Sequence, residues 1–407
     1  MIAKLFKPLV FSKLRRTLVT LVWSIAALPA AQAQWAQDGF SSGKGYANTV
    51  ESTLAKDTVK GLKVVWERSL SGSGDVSSVS QLDNRMFACA ASGGLFALDP
   101  PTGDVLWHQA GASLGECGVP AVDHDAIYLS TAAADGSRNV LRAYHPATGA
   151  EIWSTDLPAG ADFKKVTSGL ALNGDVLVVT TQGQAVVAVR RTDGHVVWQS
   201  TTGTGTNSSP SVANGRVFVA TATVCCTTPG SVRAFDLATG ELLWTRQFRY
   251  ELVHPPLVMG DQVIVGPLQD PTMAAFDVAD GHTLWTRSYG TGSFTAHLAG
   301  NASEIYAVTE GIWVSAFSAT NGRLLWHHKY SNTLSVAPTL VWANKLLYAV
   351  YHDYHDGQVH YLQVFNAHTG KELDRVDLDL PLAGLGTTVV DGRVVIVDRG
   401  RIVVLGL

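Results

Sequence analysis

Charge is scarce in this 407-residue chain: 16% of its residues carry it, 30 Lys and Arg against 34 Asp and Glu. The formal net charge is −4, so no basic field exists to hold a nucleic-acid backbone or an anionic lipid surface. Cysteine is scarcer still. Four cysteines cannot build a disulfide scaffold, and the fold must stand on a hydrophobic core, which 46% apolar residues supply. No apolar run beyond Leu28 is long enough to span a bilayer. The chain has no G-x-S-x-G elbow, no P-loop and no dinucleotide fingerprint opening a helix, so hydrolase, kinase and NAD-dehydrogenase chemistry have nothing to rest on. It has no C-x-x-C-H haem attachment either.

What is present begins with an address. Lys4, Lys7, Lys13, Arg15 and Arg16 precede an apolar run from Leu18 to Leu28, and Ala31-Gln32-Ala33 offers the small residues a signal peptidase accepts. Residues 1–33 therefore read as a cleavable signal peptide, with Gln34 starting the mature, periplasmic chain. No cysteine stands near the cleavage point to accept a lipid, so the expectation is an exported protein that is not a lipoprotein. Residues 34–60 read as a loose lead-in.

The rest is one repeat. LFALDPPTGDVLW ends at Trp107, LRAYHPATGAEIW at Trp153, VVAVRRTDGHVVW at Trp198 and VRAFDLATGELLW at Trp244. MAAFDVADGHTLW follows to Trp285 and VSAFSATNGRLLW to Trp326, and LQVFNAHTGKELD puts Asp374 where Trp is due. The turn glycines, from Gly103 to Gly370, are 41 to 48 residues apart, and the Trp falls four residues after each of the first six. Each unit is an alternating strand, a turn whose Gly takes positive φ, and a second strand. A further strand pair precedes each hairpin, as in PSVANGRVFVAT (210–221). Four short strands per repeat of this length make a propeller blade, with Trp filling the wedge between blades. Trp66, in LKVVWERSL, has the last-strand pattern without a hairpin partner, and 387–407 has three strands and no fourth. These fragments complete one split blade and hide two sheet edges. The expected fold is all-β: a single eight-bladed propeller over 61–407, ring-closed by the N-terminal strand.

The A-x-D-x-x-T-G-x-x-x-W pattern resembles the pyrroloquinoline-quinone (PQQ) type propeller repeat. In size, in the split blade and in the last blade without Trp, the chain is similar to outer-membrane assembly factors of the BamB type. That resemblance implies a periplasmic binding or assembly module that meets a protein partner on its loop face. The adjacent cysteines Cys225-Cys226, in TVCCTTPGSVRAFD, resemble the pair whose ring disulfide lies against the quinone in quinoprotein alcohol dehydrogenases. That likeness implies the alternative, a small PQQ-dependent oxidoreductase with Ca²⁺ beside the quinone and an external electron acceptor. Arg249 would then bind a quinone carboxylate.

Two other groups are candidates. Tyr351-His352-Asp353-Tyr354-His355-Asp356 is a dense His/Asp segment, and His254 and His297 begin inner strands of other blades, so His352, His355, His254 and His297 could share a metal on one face. The same residues also fit polar hairpin loops with solvated rings. Cys89 ends one strand and Cys117 precedes the next blade, which suits a stapling disulfide in an oxidising compartment.

Overall fold

The computed structural model describes residues 35–407 except 71–75, 77, 91–93, 111–116, 133–137, 159–168, 182–183, 204–205, 223–228, 268–269, 290–297, 310–311, 330–338, 354–358, 379–385 and 399. The described residues form eight sheets built on antiparallel strands; the seventh also takes a short parallel strand, Ala47–Asn48, from the lead-in, and the eighth is split between the two ends of the chain. Blades 1 to 7 start at Ser80, Ala121, Ala171, Ser211, Leu257, Ala299 and Leu340 on their innermost strands. Blade 8 takes three strands from Gly386–Val390, Arg393–Asp398 and Arg401–Gly406, and its outer strand is Lys63–Ser69. That strand runs antiparallel to the C-terminal one, with Trp66 opposite Val404. The split blade closes the ring. The only helical segment among the described residues is a 3₁₀ turn, Val59–Gly61.

Each seam between blades is built from two residues of the repeat. The indole Nε1 of Trp66, Trp107, Trp153, Trp198, Trp244, Trp285 and Trp326 donates to a backbone carbonyl in the next blade's hairpin, at 2.8–3.3 Å. Beneath each indole lies the turn glycine of that next blade. A Cβ added at Gly103, Gly149, Gly194, Gly240, Gly281, Gly322 or Gly370 would come within 2.5–2.6 Å of the preceding blade's Trp or a side chain beside it. The glycine thus has two reasons to be there: its φ is about +70° and the indole leaves it no room for a side chain. In all eight blades the register of the outer strand slips by one residue just before the Trp position. Such a bulge turns the indole toward its neighbour and twists the outer edge away from further pairing.

The lead-in is not loose. Trp35, Lys44, Asn48 and Leu54 are at most 1% exposed, and the segment touches every blade in turn. Carbonyls of Trp35, Ala36, Ser42, Gly43, Gly45 and Tyr46 accept the amides of Gln81, Val122, Val212, Val258, Gly300 and Trp342, which sit on the innermost strands of blades 1, 2, 4, 5, 6 and 7. For blade 3 the Gln37 side chain accepts from Leu172 N and donates to Leu172 O, at 2.8 and 3.2 Å. For blade 8, Asn48 Nδ2 donates to Val389 O and Glu51 Oε2 accepts from Gly392 N. Innermost strands leave one backbone edge facing the propeller axis, and those polar groups need partners once water is excluded. The lead-in supplies them, and its aromatic residues Trp35 and Phe40 pack edge to face inside. The expectation of a loose segment fails because glycine and serine here serve close backbone approach rather than flexibility.

Candidate functional site

Antiparallel order gives the ring two unlike faces. Turns between first and second strands and between third and fourth strands lie on one, the turn face. Loops between second and third strands, and the blade-to-blade connections, lie on the other, the loop face. The lead-in engages the innermost strands near their first turns, so it closes the axial channel at the turn face.

The core of that closure is ionic. The Lys44 ammonium is buried and donates to Asp38 O and Leu170 O, each at 3.0 Å, with Asp38 Oδ2 at 3.4 Å. Burial lowers the Lys44 pKa, and the Asp38 carboxylate opposes that shift. Tyr46 donates to Asp38 Oδ1 at 3.0 Å, and burial first, then Asp38, raise its pKa well above the usual value. A buried charge is tolerated only when it is paired and its remaining donors are met, and Lys44 fulfils both conditions. Its three contacts make it a fixed strut, not a free base. Sequence reasoning passed over Asp38, Lys44 and Tyr46. The usable signal was the density of Trp35, Phe40 and Tyr46 in so short and glycine-rich a stretch.

Neighbouring blades are also tied by hydroxyls. Ser80 reaches Pro120 O, Ser211 reaches Pro256 O, Thr180 reaches Ser208 O, and Thr339 meets Thr387. Cys89 and Cys117 are joined by a disulfide that crosses from blade 1 to the entry of blade 2, where Cys117 bridges Thr131.

Cys225, Cys226, His297 and His355 lie outside the described residues. The roots of the Cys225-Cys226 loop are described, and they meet the segment that carries Arg249. Gly230 N donates to Tyr250 O at 3.1 Å and Leu252 N to Thr221 O at 3.4 Å. A side chain at Gly230 would strike the backbone at both Tyr250 and Leu252, so the two segments are held in direct contact. Arg249 is exposed, its guanidinium 5.3 Å from the Tyr250 ring centroid. His254 is half-buried in the connection to blade 5.

His352 is in a strand rather than a loop: Leu346–Asp353 and Val359–Asn366 pair with His352 opposite His360. His360, Tyr351 and Tyr361 are buried, and Arg375 stacks over Tyr361 at 3.8 Å, so that hairpin is packed at its base rather than solvated. Among the described residues one group of three could hold a metal ion, Asp277, Asp280 and His282. It stands at the blade 5 hairpin, on the turn face, away from the histidines singled out in the sequence. Among the described residues the fit to a quinone and Ca²⁺ is therefore poor: Arg249 is exposed and could meet a quinone carboxylate, but no three-ligand cation cluster accompanies it on the loop face.

An eight-bladed ring of Trp-locked sheets defines the chain as a PQQ-type repeat propeller. A family model described as the outer membrane protein assembly factor BamB matches residues 137–224 and 221–406, and the chain belongs to this family. BamB of Shewanella oneidensis is 27% identical over 179 residues, 42% of this chain and 43% of that protein. The chain spans less than half the length of the curated relatives it matches. In structure it is similar to BamB from Moraxella catarrhalis, with a TM-score of 0.62 at 19% identity over 85% of this chain and 100% of that one. It is also similar to the quinohemoprotein alcohol dehydrogenase of Comamonas testosteroni, with a TM-score of 0.72 at 13% identity over 93% of this chain and 81% of that one. Likeness at such identities concerns the fold alone.

Proposed function

We propose that this chain is an exported binding and assembly module of the cell envelope, whose loop face engages a protein partner. The leader of residues 1–33 would deliver it to the periplasm. The observation that carries this reading is how the chain is used: the described residues serve as blade, seam or axial closure, on a BamB-type frame. Propeller loop rings offer partners a broad surface of aromatic and polar groups, suited to an extended peptide or strand. The test is a host strain lacking this protein, assayed for folded outer-membrane β-barrel proteins by heat-modifiable mobility. A reduced folded fraction, restored by the intact gene, is expected. Wild-type levels would overturn the reading.

A second reading, a small PQQ-dependent oxidoreductase, is favoured by the contact between the Arg249 segment and the roots of the Cys225-Cys226 loop. Its test is an absorbance titration with PQQ and Ca²⁺, followed by dye reduction with a primary alcohol. Saturable binding with dye reduction would displace the assembly reading.

A further inference from the structure

The turn face carries a pocket of about 640 Å³ between blades 5 and 6, with the lead-in as its third wall. That volume is within the range of about 300–1,000 Å³ typical of small-molecule sites. The pocket exists because this seam is bridged differently from the one before it. Between blades 4 and 5, Asn214 Nδ2 reaches across to Gly260 O and Asp261. Between blades 5 and 6 the facing residues are Gly300 and Ala302, and a Cβ at Gly300 would strike Met259 Sδ at 2.6 Å. Among the described residues no side-chain hydrogen bond links these two first turns, and the seam is held further out by Trp285, whose Nε1 donates to Gln262 Oε1 and Ala319 O.

The lead-in bends sharply beside it. Phe40, Lys44 and Tyr46 all have left-handed backbone, with φ of 70°, 56° and 44°. Unlike Asn214 or Asp391, they are not hairpin-turn residues. Local turn bonds accompany this conformation, Phe40 N to Gln37 O, Lys44 N to Ser41 O and Tyr46 N to Gly39 O, and Phe40 forms part of the pocket wall.

The lining pairs an apolar surface, Phe40, Met259 and Leu284, with two carboxylates, Asp261 and Asp277. No Lys, Arg or His contributes to it. Asp280 extends the negative charge beyond the rim, beside Asp277. Two basic side chains lie nearby: Arg246, on the outer strand of blade 4, is tied to the carbonyls of Gly281 and Asp280, and His282 meets Asp280 at 2.7 Å.

We propose that this pocket binds an organic ammonium ligand: an amine head for Asp261 and Asp277, carried on an apolar stem that lies against Phe40 and Leu284. The proposal is independent of what the loop face binds.

The experiment is isothermal titration of the mature chain with 4-phenylbutylamine, and with the alcohol and the carboxylate of the same skeleton. The amine should bind about tenfold tighter than the alcohol, the effect of one charge-assisted hydrogen bond, and the carboxylate weakest. Asp261→Asn with Asp277→Asn should bring the amine down to the alcohol, whereas Phe40→Ala should weaken both. If the double variant melts early, the wild-type protein still decides: raising salt should narrow the gap between amine and alcohol. Equal affinity for amine and alcohol, or no heat from either at about 10 mM, a Kd too weak to count as a site, would overturn the proposal.

Discussion

Seven seams of this ring are closed by one device and the eighth by another. From blade 8 round to blade 7, each outer-strand indole lies over a glycine of the next hairpin and donates to its backbone. Between blades 7 and 8 neither half of the device exists. Blade 7 has Asp374 at the Trp position, and blade 8, being split, has no hairpin there to carry the glycine. The lead-in fills the place. Its 3₁₀ turn, Val59–Gly61, packs against the Glu372–Leu378 strand, Val59 and Leu54 are fully buried, and Asn344 Nδ2 donates to Leu54 O. A repeat can specify every joint except the one where its ends meet. That joint must be written in sequence that does not repeat, and the same segment then runs on to stitch all eight blades at the axis.

The largest effect should come from removing the split blade's outer strand. Deleting residues 61–70 leaves Arg401–Gly406 as an open edge and takes away Trp66, and the expected result is loss of the cooperative thermal transition with aggregation. A deletion variant that melts like the intact chain would show that the split blade's outer strand is dispensable.

Next come single indoles, one from a repeated seam and one from the axial closure. Trp198→Ala should cost about 3–5 kcal/mol in a chemical-denaturation series, the range for truncating a buried aromatic. Trp35→Ala should fall in the same range, because that ring is 1% exposed and packed into the axial closure. A small loss at Trp35 alone would return the lead-in to a passive tail. Gly240→Ala sharpens the point: it should be destabilising by about 1–3 kcal/mol through its positive φ, and more while the Trp198 indole is in place. In the Trp198→Ala background the clash is gone, so a double-mutant cycle should return a coupling energy of about 0.5–3 kcal/mol. Strict additivity would mean that the indole does not rest on the glycine.

The legible part of this molecule is the part that repeats. The Trp-Gly spacing was enough for the blade count, the split blade and the wedge role of the indoles, because each signal occurs several times over. The steric half of the glycine's role was hidden, since its partner lies in the preceding repeat. The lead-in was misread for a physical reason: Gln37, Lys44 and Asn48 meet Leu172, Leu170 and Val389, between 126 and 341 positions away, and no local pattern encodes such partners. Of the site candidates, Arg249 and the roots of the Cys225-Cys226 loop are brought together, and His352 is placed opposite a buried His360. Loops interrupt the repeat, so their chemistry has no periodic support to be read from.

A smaller effect should follow from forcing the common device onto the exceptional seam. Asp374→Trp restores the indole to blade 7, but its resting place is already taken by the Val59–Gly61 turn. Overpacking of this kind costs about 1–3 kcal/mol. A stabilised variant would mean that the eighth seam is a degenerate copy of the others and not a separate solution.

The smallest effect on stability should come from the loop face. Cys225 and Cys226 are neighbours, so a bond between them closes almost no loop and restricts the unfolded chain very little. Replacing both with Ser should therefore leave the unfolding free energy within about 1 kcal/mol of wild type. The turn face offers no such freedom, since Trp35 and Gly240 are each fixed by a neighbour. The Cys89–Cys117 bond accounts for two of the four thiols. Thiol titration of the denatured, unreduced protein then reads the state of the other pair directly. We expect no free thiol, with a peptide map linking Cys225 to Cys226. Two free thiols would remove the ring disulfide, and with it the main support for a quinone at the loop face. If the ring is present, the double Ser variant should keep its melting temperature and lose binding on that face, of quinone in one reading and of a protein partner in the other.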